Sequence, residues 1–268
     1  MTADNGTIEL STAAGAIYSF DPRQGLDLTR IKLNGTAFAP LHDAPDSPDA
    51  VIRQALRGFM FTCGPEHIRQ PEAGYPLHGS FVRTPACNVS VARNGAETVV
   101  SGHIKLDLPM GGQATVIREW TVLDHSTQVT LRDRVQNTGM APFAPMLMYH
   151  VNIGGRFLGP DTVLRLGDDA LEIRHLEGQS HNCVSMAGQQ AMITGMAGPA
   201  RSLTLRAEGF AGRFFQWWHL ITDTDSILSL EPASHDRKTR AALDDEDQLP
   251  SLAPGAATET CVVFSLDR

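Results

Sequence analysis

Short runs of alternating apolar and polar residues, each closed by a turn signal, set the first limit on what this chain can fold into. Asn88–Arg93 alternates Val89 and Val91 with polar residues, and Asn94-Gly95 is a hairpin turn pair. Ile104, Leu106 and Leu108 then alternate with Lys105 and Asp107. Period two marks a half-buried strand, and strands joined by such tight turns run antiparallel. Val116–Leu123 and Gln128–Val135 repeat the pattern, the second placing Val129, Leu131, Asp133 and Val135 on one face. Leu26, Ile31 and Leu33 fit a strand entering an Asn34-Gly35 turn. Val163–Leu166, Ser202–Ala207, Phe214–Ile221, Ile227–Glu231 and Thr258–Ser265 are further strand candidates. No segment longer than about 12 residues sustains helical i, i+3, i+4 spacing. The expected fold is all-β: a large antiparallel β-sandwich forming a single domain over residues 1–268, rather than βαβ units.

Composition narrows the partners. Hydrophobic residues at 42% and charged residues at 19% suit a globular chain that folds alone. With 22 Lys+Arg against 30 Asp+Glu, the net charge of −8 disfavours nucleic acid and anionic membrane surfaces. Cys63, Cys87, Cys183 and Cys261 form no CxxC pair and read as reduced, mostly buried thiols. The N-terminal MTADNGTIELSTAAGAIYSF lacks a basic segment followed by an apolar one, and no apolar run approaches the ~20 residues that span a bilayer. A soluble cytoplasmic protein is expected, its oligomeric state open, with a homodimer among the options. Pro40–Asp49 reads as a Pro-rich loop. The acidic run Asp244–Asp247 reads as a solvated loop, since it lacks the alternating ligands and Gly of a calcium loop.

The stretch Val135–Gly155 ends one strand, turns and begins another that carries a histidine and an asparagine. Period two puts Met146, Met148, His150 and Asn152 on one face and Leu147, Tyr149 and Val151 on the other. The first face presents an imidazole and an amide among methionines, a setting for a small polar ligand; the bland alternative is a hydrogen-bonded core histidine. PLHGSF around His78 and ILSLEPAS around Glu231 are two more stretches with catalytic residue types in strand or strand-end context. Glu231 shares a face with Ile227 and Ser229, opposite Leu228 and Leu230, and the following Pro232 is expected to end the strand. The three stretches are too far apart for a local motif, so spacing gives no geometry.

His78-Gly79, the NTG…P…YH pattern over Asn137–His150 and the LEP of Leu230–Pro232 occur in the order and at about the intervals of the aldose 1-epimerase (galactose mutarotase) superfamily. The chain resembles a divergent branch of it. FTCG at Phe61–Gly64, YHVNIGG, the QWW of Gln216–Trp218 and LPSLAPG at Leu249–Gly255 fit that branch. The resemblance implies a β-sandwich whose concave face binds a monosaccharide, with Glu231 as general base, His150 as general acid and His78 holding the ring oxygen. It implies no metal and no organic cofactor. Candidates for sugar recognition are Asn152, Gln216, Trp217, Arg53, Arg57 and Arg83. One of Trp217 and Trp218 is expected in the core and the other against the sugar. Two departures bear on substrate: Val151-Asn152-Ile153-Gly154-Gly155 follows the acid histidine in place of an aromatic-Asn pattern, and RQALRGFMFTCG replaces the family's arginine-rich motif. The substrate class is a monosaccharide or an acidic or sulfonated sugar. A noncatalytic sugar-binding protein, and a metal-dependent isomerase or lyase with His78, His150 and Glu231 as ligands, are the alternatives.

Overall fold

The computed structural model describes residues 2–4, 6–41, 44–186 and 190–268, with the backbone alone for 2–4. Three antiparallel sheets carry the fold. Thr2–Asp4, Thr7–Ser11, Ala16–Asp21, Asp27–Leu33 and Thr36–Phe38 form an N-terminal meander. A nine-stranded sheet runs, edge to edge, through Asp169–Glu172, Val163–Leu166, Gln190–Thr194, Ser202–Gly209, Ala257–Asp267, Gln128–Asn137, Gln113–Leu123, Glu97–Asp107 and Ala86–Asn94. The third sheet orders Gly178–Ser185, Phe214–Ile221, Ser226–Ala233, Met148–Gly154 and Met60–Cys63. The all-β sandwich expected from the alternation is the one observed.

Turn chemistry sets the register. Asn34 and Gly35 both take positive φ between paired Leu33 and Thr36, which gives the strands the twist a two-residue hairpin needs. In the other hairpin Asn94 pairs with Glu97, so the loop is Gly95-Ala96, with Gly95 alone at positive φ. The Asn94-Gly95 signal therefore locates the hairpin one residue early.

Alternation along Met148–Gly154 divides two cores, as the sequence predicts. Leu147, Tyr149 and Val151 join Leu228, Leu230, Leu131 and Phe264 in the main core between the sheets. Met146 and Met148 join Phe61, Cys63, Ile227 and Ala233 in a second cluster on the opposite face, where Ile52, Leu56 and Leu243 from two short helices pack. Those helices, Ala50–Leu56 and Arg240–Asp245, interrupt the otherwise all-strand pattern. The second takes in Asp244 and Asp245, so only part of the acidic run is loop; the first starts on Asp49, whose carboxylate caps Val51 and Ile52. His42 and Asp43 of the predicted Pro40–Asp49 loop lie outside the described residues. Cys63 is buried, whereas the other three thiols are half-buried. No helix is long and apolar enough to cross a membrane among the described residues.

One ion cluster sits at the centre of the sandwich. Arg118, fully buried, donates to both oxygens of Asp133 (2.9 and 2.6 Å), to Asp27 (2.5 Å), to the Gly25 carbonyl and to Thr62. Tyr149 donates to the same Asp133 at 2.7 Å, tying the strand that bears His150 to the cluster. A carboxylate on the apolar face of Gln128–Asn137 is thus paired, as a buried charge must be.

Candidate active site

The candidate site is a row of side chains across the third sheet. Cys183 pairs with Gln216 and Gln216 with Glu231, while His150 pairs with Phe61. Met148 opposite Ala233 and Val151 opposite Leu230 fix the register that puts His150 beside Glu231. Residues directly opposite in antiparallel strands point to the same face, so the row Cys183, Gln216, Glu231, His150, Phe61 projects together. The strand bearing Glu231 does not stop at Pro232 but continues to Ala233. Proline has no N–H, and the pairing toward Met148–Gly154 is interrupted there, next to the Glu231–His150 pair.

His78 arrives from a loop. It holds φ +61, with its N–H on the Arg69 carbonyl and its own carbonyl taking the Gly64 N–H. Gly79 makes that turn, at φ +77, where a Cβ would lie 2.4 Å from the His67 oxygen and 2.7 Å from the Gly64 oxygen. The His-Gly pair is thus a steric requirement of the turn that presents the imidazole.

The Glu231 carboxylate is fully buried. Its Oε2 accepts from His181 Nε2 at 2.8 Å. Oε1 makes no hydrogen bond; His150 Nε2 lies 3.3 Å from it in ion-pair contact. His150 stacks on Phe61 at 4.5 Å between ring centres and meets the edge of His78 at 5.6 Å. Its Nδ1 donates to Asn152 Oδ1 at 2.7 Å, so any second proton sits on Nε2, facing Glu231. Burial alone would raise the Glu231 carboxyl, but His150 and His181 outweigh it and hold the group below its ordinary value. Burial also pulls the His150 imidazole down, against the opposing pull of Glu231 and Asn152. Burial, and then His150, push His78 down to about 3. His78 Nδ1 donates to the Ile68 carbonyl at 3.3 Å, so the neutral ring offers a lone pair at Nε2. Such a nitrogen takes a hydrogen bond from a hydroxyl and cannot donate one to a ring oxygen, which revises the expected task of His78.

Among the other expected residues, Gln216 faces the site. Its Nε2 donates to the His235 carbonyl and its buried Oε1 has no donor. Asn152 lies behind His150, its amide committed to His150, Ser229 and the Gly58 carbonyl, so it positions the imidazole rather than meeting a ligand. Trp217 packs into the main core; Trp218 is the tryptophan on the site face, 6.1 Å from His150. Arg53 and Arg83 are held by other partners, Arg83 also reaching the Leu77 carbonyl beside His78. Arg53 pairs with Asp46, Arg83 forks onto Asp49, and Arg57 lines a separate groove of about 560 Å³ on the N-terminal sheet. Among the described residues no three His, Cys, Asp or Glu side chains are grouped to hold a metal ion.

The family described as Domain of unknown function (DUF4432) matches residues 6–192. The chain belongs to this family. The DUF4432 match takes in His78, His150 and His181 and ends before Gln216 and Glu231. No curated protein matches the sequence. Solved structures share the fold. One is a Klebsiella pneumoniae protein provisionally called an aldose 1-epimerase, 17% identical, with a TM-score of 0.77 over 94% of this chain and 77% of that one. Another is a galactose mutarotase related enzyme from Lactobacillus acidophilus, 10% identical, TM-score 0.69, covering 98% and 97%. A galactose mutarotase-like protein from Lactobacillus casei is 14% identical, TM-score 0.64, covering 97% and 100%. At such identities the likeness establishes the galactose mutarotase-like sandwich, the architecture the resemblance implied. Sequence reading gave His181 no role in this DUF4432 chain, because the polar strand Gly178–Ser185 has no apolar alternation to reveal it.

Proposed function

We propose that this protein is a mutarotase of the aldose 1-epimerase type, interconverting the anomers of a monosaccharide or of an acidic or sulfonated sugar. The observation that carries this reading is Glu231 Oε1, a buried acceptor without a hydrogen bond, with His150 Nε2 3.3 Å away. Leaving such an acceptor unsatisfied costs about 1–3 kcal/mol, and a sugar hydroxyl is the donor it lacks. Gln216 Oε1, its neighbour in the row, offers a second empty acceptor to a polyhydroxyl ligand.

The chemistry follows from that pair. Glu231 takes the proton of the anomeric hydroxyl while His150 gives its Nε2 proton to the ring oxygen, and the bond from the anomeric carbon to the ring oxygen breaks. Rotation of the free aldehyde exposes its other face. Reclosure returns both protons and inverts the anomeric centre, so no proton is gained or lost over the cycle. His78 accepts from a sugar hydroxyl and Trp218 supplies an apolar wall. The sequence needs no metal or organic cofactor.

The test is one-dimensional exchange NMR of anomeric protons over a panel of neutral, acidic and sulfonated sugars. Protein-dependent exchange for one of them, lost in Glu231→Gln, is the expected result. Saturation transfer without faster exchange in every sugar would replace this reading with the sugar-binding one.

A further inference from the structure

Ring opening asks for one acid and one base, yet the carboxylate assigned as base holds a second imidazole. His181 Nε2 lies 2.8 Å from Glu231 Oε2, and this is the only hydrogen bond to that carboxylate among the described residues. The last torsion of a glutamate is broad, so this one bond decides which oxygen faces the cleft. His181 is itself anchored: its strand pairs it with Trp218, and Arg237 donates to its carbonyl.

We propose that His181 is the positioning residue of this site, its Nε2–H turning Glu231 so that Oε1 faces His150 and the substrate. The assignment rests on the mutarotase reading for its catalytic consequence and on geometry alone for its effect on Glu231. From the remaining elements Glu231 has His150, His78 and the thiols of Cys63 and Cys183 around it, and Arg237 and Asp236 neighbour Cys183. His150 and His181 together offset the burial that would otherwise protonate the base. A carboxylate held this way stays ionised at lower pH, and the acid limit of activity moves down with it. His181 is the member of the pair that reaches solvent, its side chain 28% exposed against 5% for His150. It can therefore be replaced with little disturbance of the core.

The experiment compares wild type, His181→Ala and His181→Gln from about pH 4 to pH 8. Anomeric exchange gives kcat and KM, and ¹³C NMR of glutamate carboxyls, with the Glu231 signal assigned by its loss in Glu231→Gln, gives the titration of the base. In His181→Ala, kcat falls about tenfold to a hundredfold, KM changes little, and the acid limb and the Glu231 midpoint both move to higher pH. His181→Gln, whose amide N–H reaches the same oxygen, recovers part of each. A wild-type acid limb and Glu231 midpoint in His181→Ala overturn the assignment; should that variant fail to fold, a wild-type midpoint in His181→Leu does so. If wild type accelerates no sugar, it is the mutarotase reading that falls, and the carboxyl titration still decides the role of His181.

Discussion

Asn152 Oδ1 accepts the Nδ1 proton of His150 at 2.7 Å while Ser229 donates to the same oxygen at 2.9 Å. The amide is held in that sense by its nitrogen, which donates to the Gly58 carbonyl at 3.0 Å. The consequence is a fixed orientation: Nδ1 keeps its proton, the nitrogen that faces Glu231 is Nε2, and it carries a proton only when the ring is the imidazolium, the form the proposed acid requires. Asn152→Ala removes a bond that raises the His150 pKa against burial, so the basic limb of kcat moves to lower pH. Asn152→Asp moves it the other way. We expect kcat in Asn152→Ala to fall by about tenfold or more, measured by anomeric exchange across pH.

Glu231→Gln keeps the shape of the base and removes its proton affinity. Exchange should fall by about a hundredfold to ten-thousandfold, the range set by a single acid–base group. Stability carries a second signature. The folded-state carboxyl titrates below its ordinary value, so its contribution is present above the unfolded pKa and is lost as pH falls through the folded one. The stability gap between wild type and Glu231→Gln is therefore widest near neutrality and closes in acid, readable from urea unfolding at a series of pH values.

Strands were legible wherever one face is buried and the other wet. Gln128–Asn137 and Gln113–Leu123 show this, because alternation records which side meets the core. The same logic separated the faces of Met148–Gly154, and with them His150 from Tyr149. It failed at Gly178–Ser185, an edge strand with no apolar stripe, and so His181 was invisible. It failed at Pro232 as well: a proline reads as a strand end, but here its missing N–H falls where the ladder is interrupted beside the site. The pairing of Arg53 with Asp46 and of Arg83 with Asp49 was not legible, since a guanidinium's partner is chosen by tertiary contact and leaves no periodic trace.

The two adjacent tryptophans give a clean separation of binding from folding. Trp218 lies on the site face near His150, whereas Trp217 packs against the main core with its Nε1 buried and unpartnered. Trp218→Ala should raise KM about tenfold, the loss of roughly 1.4 kcal/mol of sugar contact. Trp217→Ala should cost about 3 kcal/mol of stability, the low end for a large aromatic because the ring is only half-buried, and leave KM alone. Paired melting and kinetic measurements check both. Equal KM effects at the two positions would contradict the side assignment.

The Arg118 cluster makes the strongest stability prediction. Arg118→Leu leaves Asp27 and Asp133 buried without their cation, which should cost about 3–5 kcal/mol at neutral pH. Burial already pushes Asp27 up to about 6, against the pull of Arg118. A carboxyl raised in the folded state favours folding fully below its unfolded pKa and loses that contribution as pH rises through the folded one. Without Arg118 the Asp27 pKa rises further, so protonation relieves the variant over a wider range. The deficit in Arg118→Leu is accordingly smaller near pH 4 than near pH 7, and unfolding free energies at the two ends of that range decide it. A deficit that does not vary with pH would mean that Asp27 is not the group left exposed to the loss. Tyr149 donates to Asp133, so the same variant loosens the strand that carries His150. Anomeric exchange should then fall at temperatures where the chain is still folded.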